Sequence, residues 1–260
     1  MTTSRTSLKA ARIKYADDYN PILEYWHEIA NGLAVSDKIR RTFKKLADDV
    51  ENGGEFFYCP PRANHALEFI ENYCKHSKGK WTGRPVKLEL FQKAKIQLAF
   101  GWLDANKKRR FREVVDFRGR KCGKTTETAG VSLFMLIGDN EGGAECYAVA
   151  NKLDQAKLIF NEAVNMRSQS EAIRAITKKR QSDIYFPAMF STLKALAADT
   201  KTMDGLNAHF FSQDEFHEAR DSKIYDVMVQ SQAAREQPLA WLYSYTGSTL
   251  PPWSQPDCGL

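Results

Sequence analysis

The residues best suited to chemistry are Gly123-Lys124-Thr125, at the end of a basic turn that begins Arg118-Gly119-Arg120-Lys121-Cys122. An apolar run, Val114-Val115-Asp116-Phe117, leads into the turn, and a helix-compatible run beginning at Thr126 leaves it. Strand, glycine-containing loop, Gly-Lys-Thr, helix is the layout of a phosphate-binding loop. Backbone N–H groups and the positive helix end cradle phosphate, the lysine reaches the β- and γ-phosphates, and the hydroxyl of Thr125 ligates Mg²⁺. The usual pattern, G-x-x-x-x-G-K-[ST], places its first glycine where Arg118 stands, and Gly119 is one position late. The same residues also suit a basic surface turn before a helix.

A second candidate is Asp214-Glu215, which ends the run Ala208-His209-Phe210-Phe211-Ser212-Gln213 about ninety residues later. A phosphohydrolase needs one carboxylate on the metal side and another to orient and deprotonate water. Two acids at a helix start, stabilised by its dipole, are the structural alternative. Thr246-Gly247-Ser248, after the run 239–245, are small residues that can sense a γ-phosphate or simply form a turn. Gln92, about twenty-five residues before the turn, can read an adenine edge, although its spacing alone better fits a surface helix glutamine.

The elements expected to hold these residues alternate. Helical spacing marks 15–50 in two runs broken at Asn31-Gly32, then 64–74, 86–102 and 126–137. A buried strand is expected at 145–150, a helix at 154–166, a short strand at 184–186, a helix at 224–235 and a strand at 239–245. Strand and helix in alternation after residue 112 point to an α/β fold with a mostly parallel sheet. The domain reading is a helical region over 1–80, a nucleotide-binding domain over 81–250 and an extended tail over 251–260.

Composition narrows the class. Hydrophobic residues are 43% and charged residues 27% of the 260, ordinary for a globular protein, with no membrane-spanning run or secretory signal. Five scattered cysteines without a CxxC pair suit a reducing compartment and argue against zinc. The net charge of +6 mildly favours polyanionic partners. The cluster Lys107-Lys108-Arg109-Arg110 reads as a solvated loop.

Together these pieces resemble the ATPase portion of the large terminase subunit of tailed bacteriophages. The resemblance runs from about Tyr15 to Thr249. It is carried by Gly83-Arg84-Pro85 through Leu90-Phe91-Gln92 to Phe100-Gly101-Trp102, by Arg120-Lys121-Cys122-Gly123-Lys124-Thr125, and by Tyr147-Ala148-Val149-Ala150 with Asp154-Gln155-Ala156. The run from Ser191 to Leu196, then Asp204-Gly205-Leu206-Asn207 and Asp214-Glu215-Phe216-His217-Glu218, completes it. That family commonly lacks the first glycine of the loop. The resemblance implies a motor that hydrolyses ATP with Mg²⁺ to drive double-stranded viral DNA into a procapsid. It further implies a ring of copies acting with a capsid portal protein and a small terminase subunit in the host cytoplasm.

By position it assigns Arg120 and Lys124 to the transferring phosphoryl group and Glu215 to water activation. Thr125 and Asp214 fall to the metal, and Gln92 to adenine. The turn residues Arg118, Gly119, Lys121, Cys122, Gly123 and Thr126 fall to ATP, and Thr246, Gly247 and Ser248 to coupling. Full-length relatives add a nuclease domain, and because the chain ends just past the coupling residues, ATP hydrolysis but not DNA cleavage is expected of it.

Overall fold

The computed structural model describes residues 12–119, 121–197, 205–216 and 222–244. Helix α1 (Pro21–Ala30) starts where the Asn20 side chain accepts the Leu23 N–H and proline occupies the first turn. Helix α2 (Asp37–Asn52) starts at Ser36, which accepts from Ile39, and buries Phe43, Leu46 and Ala47 at helical spacing. Strand β1 (Phe57–Tyr58) leads into α3 (Pro60–Tyr73). Helix α4 (Leu90–Gly101) begins later than expected, because Glu89 and Gln92 form a reciprocal capping box that fixes its first turn. Val86 and Leu88 are buried on the extended approach instead. Strand β2 (Trp102–Leu103) pairs antiparallel with β1.

The remaining elements are β3 (Glu113–Phe117), α5 (Lys124–Ile137), β4 (Glu145–Ala150), α6 (Leu153–Gln169) and α7 (Glu171–Ile176). They continue with β5 (Lys178–Lys179), β6 (Asp183–Phe186), β7 (Ser191–Ala197), β8 (Ala208–Gln213), α8 (Lys223–Gln230) and β9 (Leu239–Ser244). The seven strands β3 to β9 form one sheet in the order β3-β9-β8-β4-β7-β6-β5. Strands β3, β9, β8, β4 and β7 run parallel, and β6 and β5 close the far edge antiparallel. Strands β8 and β9 are buried along their whole length, as expected where helices cover both faces. Strand β3 lies at the other edge among the described strands and leaves Val115 and Phe117 exposed.

One face of the sheet packs on α3, α4, α5 and α6 through a continuous core that includes Ile70, Phe100, Phe134, Ile159, Phe210 and Trp241. Thus α3, which precedes residue 80, shares the core of the sheet. Gly130 on α5 faces Ile70, and a Cβ there would meet that side chain at 3.3 Å, so the glycine permits the close approach of α3. The opposite face packs on α8 through Val149, Phe211, Leu242 and Met228. A third cluster joins α1 and α2 to α4 and Trp102.

The basic cluster before β3 is only in part a solvated loop: Lys107 is exposed, but Arg109 and Arg110 fold against partners. Arg109 is buried, with a bidentate pair to Asp139 at 2.6 and 2.8 Å, and His209 Nε2 lies 2.7 Å from the same carboxylate. Arg110 pairs with Asp49 at 3.1 Å and stacks over Phe56, Trp102 and Phe111. A guanidinium satisfies buried carboxylates and aromatic faces that a lysine would leave partly unmatched. The residues after α8 turn instead of extending the helix to 235. The Arg235 side chain there donates to the carbonyls of Asn207 and Gly143.

Candidate functional site

The parallel order β3-β9-β8 brings the two candidate stretches together. Phe117 is in register with Ser244, and Gln213 with Leu242, so the turn after β3 and the acids after β8 emerge at the same sheet end. The Arg118 N–H donates to the Ser244 carbonyl at 3.1 Å, tying the start of the turn to the end of β9. In open parallel sheets this carboxyl end is where ligands bind.

Lys121 (φ 62°) and Gly123 (φ 73°) adopt left-handed backbone conformations and bend the chain into α5. Gly123 caps the helix without any side-chain hydrogen bond, which leaves first-turn N–H groups facing outward at the positive end of the helix dipole. They border a cavity of about 280 Å³ lined by Lys121, Cys122, Gly123, Lys124, Thr125, Thr126 and Asp214. Burial holds the Lys124 ammonium below the ordinary lysine pKa; Asp214 opposes that shift and Arg118 adds to it. A partly dehydrated ammonium beside helix N–H groups is suited to a polyanion such as a phosphate chain.

Glu215 stands next to Asp214 in a left-handed conformation (φ 53°), and its N–H donates to Asp214 Oδ1 at 3.0 Å. Such a backbone is costly for a residue with a side chain, and strain of this kind collects at functional sites. The Gln155 amide, on the first turn of α6, donates to Glu215 Oε2 at 2.8 Å. Sequence alone places Gln155 in the run Asp154-Gln155-Ala156 without giving it a role. Its partner lies sixty residues away in the chain, and only the β4–β8 pairing brings them together.

Arg118 and Gln92 sit beneath the turn. Arg118 lies 3.0 Å from Asp116 and 2.9 Å from Glu127, donates to the Cys122 carbonyl at 3.2 Å, and stacks over Phe91 and Tyr243. Burial opposes its charge, but Glu127 and then Asp116 outweigh burial and raise its pKa. Gln92 donates to Glu127 at 2.8 Å and accepts from the Glu89 N–H, so both ends of its amide are engaged. Lys95 completes the group, 2.5 Å from Glu127 and paired with Asp116. Neither Arg118 nor Gln92 lines the cavity, and Gly119 is also outside its lining. Glu127 could have been singled out from sequence, since a lone carboxylate on an apolar helix needs a cation. Arg120, Thr246, Gly247 and Ser248 lie outside the described residues.

Residues 90–252 match the family described as terminase large subunit, ATPase domain. The chain belongs to this family. Over 184 residues it is 30% identical to the terminase large subunit of Enterobacteria phage HK97, covering 68% of this chain and 35% of that protein. It is 26% identical over 209 residues to the terminase large subunit of Lactococcus phage p2, covering 76% of this chain and 37% of that one. The crystal structure of the HK97 large terminase superposes with a TM-score of 0.62 at 26% identity, over 70% of this chain and 37% of that chain. This terminase chain therefore spans little more than a third of the length of these relatives. Its α/β architecture, with a mostly parallel sheet between helices, is that of the terminase ATPase domain. Among the described residues no helix is long and apolar enough to cross a membrane.

Proposed function

We propose that this chain is an ATP hydrolase, the motor part of a large terminase that drives double-stranded DNA into a procapsid. The observation that carries the reading is the cavity with Gly123, Lys124 and Thr125 on one wall and Asp214 on the other, with Glu215 adjoining it. The helix N–H groups and Lys124 bind the β- and γ-phosphates of ATP and hold the γ-phosphorus in place. Glu215 accepts a proton from water as the water attacks. Lys121 and Lys124 balance the charge that spreads over the transferring oxygens, with Arg120 contributing from the same turn.

The Thr125 hydroxyl and Asp214 carboxylate, hard oxygen donors beside the phosphate cavity, fit Mg²⁺. When bound, the metal would neutralise charge on the phosphate chain. The adenine lies toward α4, near Gln92, and Thr246, Gly247 and Ser248 relay hydrolysis to movement. The functional assembly is a homo-oligomeric ring at the portal of the capsid, working with a small terminase subunit in the host cytoplasm.

The test is Mg²⁺-dependent ATP hydrolysis by the purified chain across a range of protein concentrations, beside Glu215→Gln. Hydrolysis should fall roughly 100- to 10,000-fold in the variant while nucleotide binding persists. A rate per chain that rises with concentration supports a ring. Undiminished hydrolysis in the variant would overturn the role of Glu215.

A further inference from the structure

Far from the P-loop in sequence, residues 75–87 carry Lys75, Lys78, Lys80, Arg84 and Lys87 and contain no aspartate or glutamate. The loop is rigidly built. Lys75 bridges Pro85 antiparallel, the His76 N–H donates to Arg84 O at 2.9 Å, and the Gly83 N–H donates to His76 O at 2.8 Å. Thr82 donates to Gly79 O through both its N–H (3.1 Å) and its hydroxyl (2.7 Å). The Arg84 N–H donates to Trp81 O at 2.9 Å. Gly79 (φ 68°) and Gly83 (φ 80°) permit these turns. Ser77 anchors the base of the loop by donating to Glu162 on α6 at 2.5 Å.

At the tip stands Trp81, 48% exposed, with the Lys80 ammonium 5.2 Å and the Arg84 guanidinium 5.1 Å from its ring centroid. Elsewhere in the molecule the structural arginines Arg109, Arg110, Arg118, Arg180 and Arg235 each pair with a carboxylate. No carboxylate pairs with Lys78, Lys80, Arg84 or Lys87 among the described residues. An indole face holds its cations in place without neutralising them, so their charge stays available to an incoming anion. A Cβ on Gly83 would lie 3.9 Å from Gln169 Oε1, at the end of α6.

From this loop, with Lys80 and Arg84 displayed on Trp81, we infer a contact site for the phosphate backbone of double-stranded DNA. The assignment rests on the packaging reading above and adds to it the surface that meets DNA. The arginine fork and the lysine each take a phosphate, and the rigid loop holds them in register at little ordering cost. Contacts of this kind carry no base information and release counterions.

The test measures fluorescence anisotropy of a labelled random-sequence duplex with the full chain over a series of salt concentrations. It compares wild type, Lys80→Ala/Arg84→Ala, and Lys44→Ala/Lys45→Ala, which removes equal charge from the exposed face of α2. ATP hydrolysis without DNA is measured on each preparation and should be unchanged in both variants. The loop variant should bind at least ~10-fold more weakly, with the slope of log affinity against log salt shallower by about 2. The α2 variant should match wild type. Equal loss in both variants would make the affinity diffuse and overturn the site. Unchanged binding in the loop variant would overturn it too, and would leave the loop to an acidic protein partner. Wild type that hydrolyses ATP but binds no duplex would overturn the DNA site while sparing the hydrolase. Wild type that binds duplex through the loop without hydrolysing ATP would do the reverse.

Discussion

The Gln155 amide donates to Glu215 Oε2 at 2.8 Å, joining the first turn of α6 to the acid that follows β8. The Glu215 backbone is left-handed, and the Gln155 hydrogen bond orients its carboxylate. Gln155 is therefore expected to position the base. Gln155→Ala should lower kcat about tenfold, close to 1.4 kcal/mol, with KM for ATP little changed. Steady-state hydrolysis decides between this and a structural role, which would move thermal stability and leave kcat alone.

Lys124 is held below the usual lysine pKa chiefly by burial. In the proposed ATP site its charged form would bind phosphate, and a lowered pKa means that the proton leaves earlier as pH rises. Nucleotide affinity should thus weaken on the alkaline side sooner than an ordinary lysine would cause. Titrating KM for ATP against pH tests this, and Lys124→Arg should flatten the alkaline limb, because an arginine stays charged.

Arg118 occupies the place of the usual first glycine and neutralises Asp116 and Glu127 with Lys95. Restoring the common residue should therefore harm this protein. Arg118→Gly leaves two buried carboxylates to one lysine and is expected to cost roughly 3 kcal/mol. Denaturant unfolding would show the loss, and a raised KM for ATP would show the turn loosening above it.

Asp139 shows the same physics at the opposite end of α5. Burial favours its neutral form, but Arg109 and His209 outweigh burial and depress its pKa from 3.8 to about 2. A carboxylate with a depressed folded pKa adds stability above its unfolded pKa and loses it as pH falls through the folded one. Asp139→Asn should cost roughly 2 to 3 kcal/mol near neutral pH, because the buried Arg109 loses its counterion. The difference from wild type should shrink as pH falls below 3.8 and be gone below about 2, which acid unfolding of both proteins would reveal.

Local sequence determined much of this protein. The strand 145–150 and the helices around α5 and α6 follow from apolar period, because that signal acts between residues a few positions apart. Gly123-Lys124-Thr125 and Asp214-Glu215 could be picked out as candidate sites because such chemistry needs adjacent residues of fixed type. What the chain order could not convey is which distant residues meet. The antiparallel β5–β6 edge depends on pairings that short, mixed segments do not encode. Gln155 reaches Glu215 only through the β4–β8 ladder. The cluster at Arg109 and Arg110 looks solvated as a run of like charge until Asp139, His209, Asp49 and three aromatic rings fold against it. Arg118 reads as a flawed glycine until Asp116, Glu127 and Lys95 converge on it. In each case a buried charge is stable only with its partner, and it is the tertiary fold that supplies the partner.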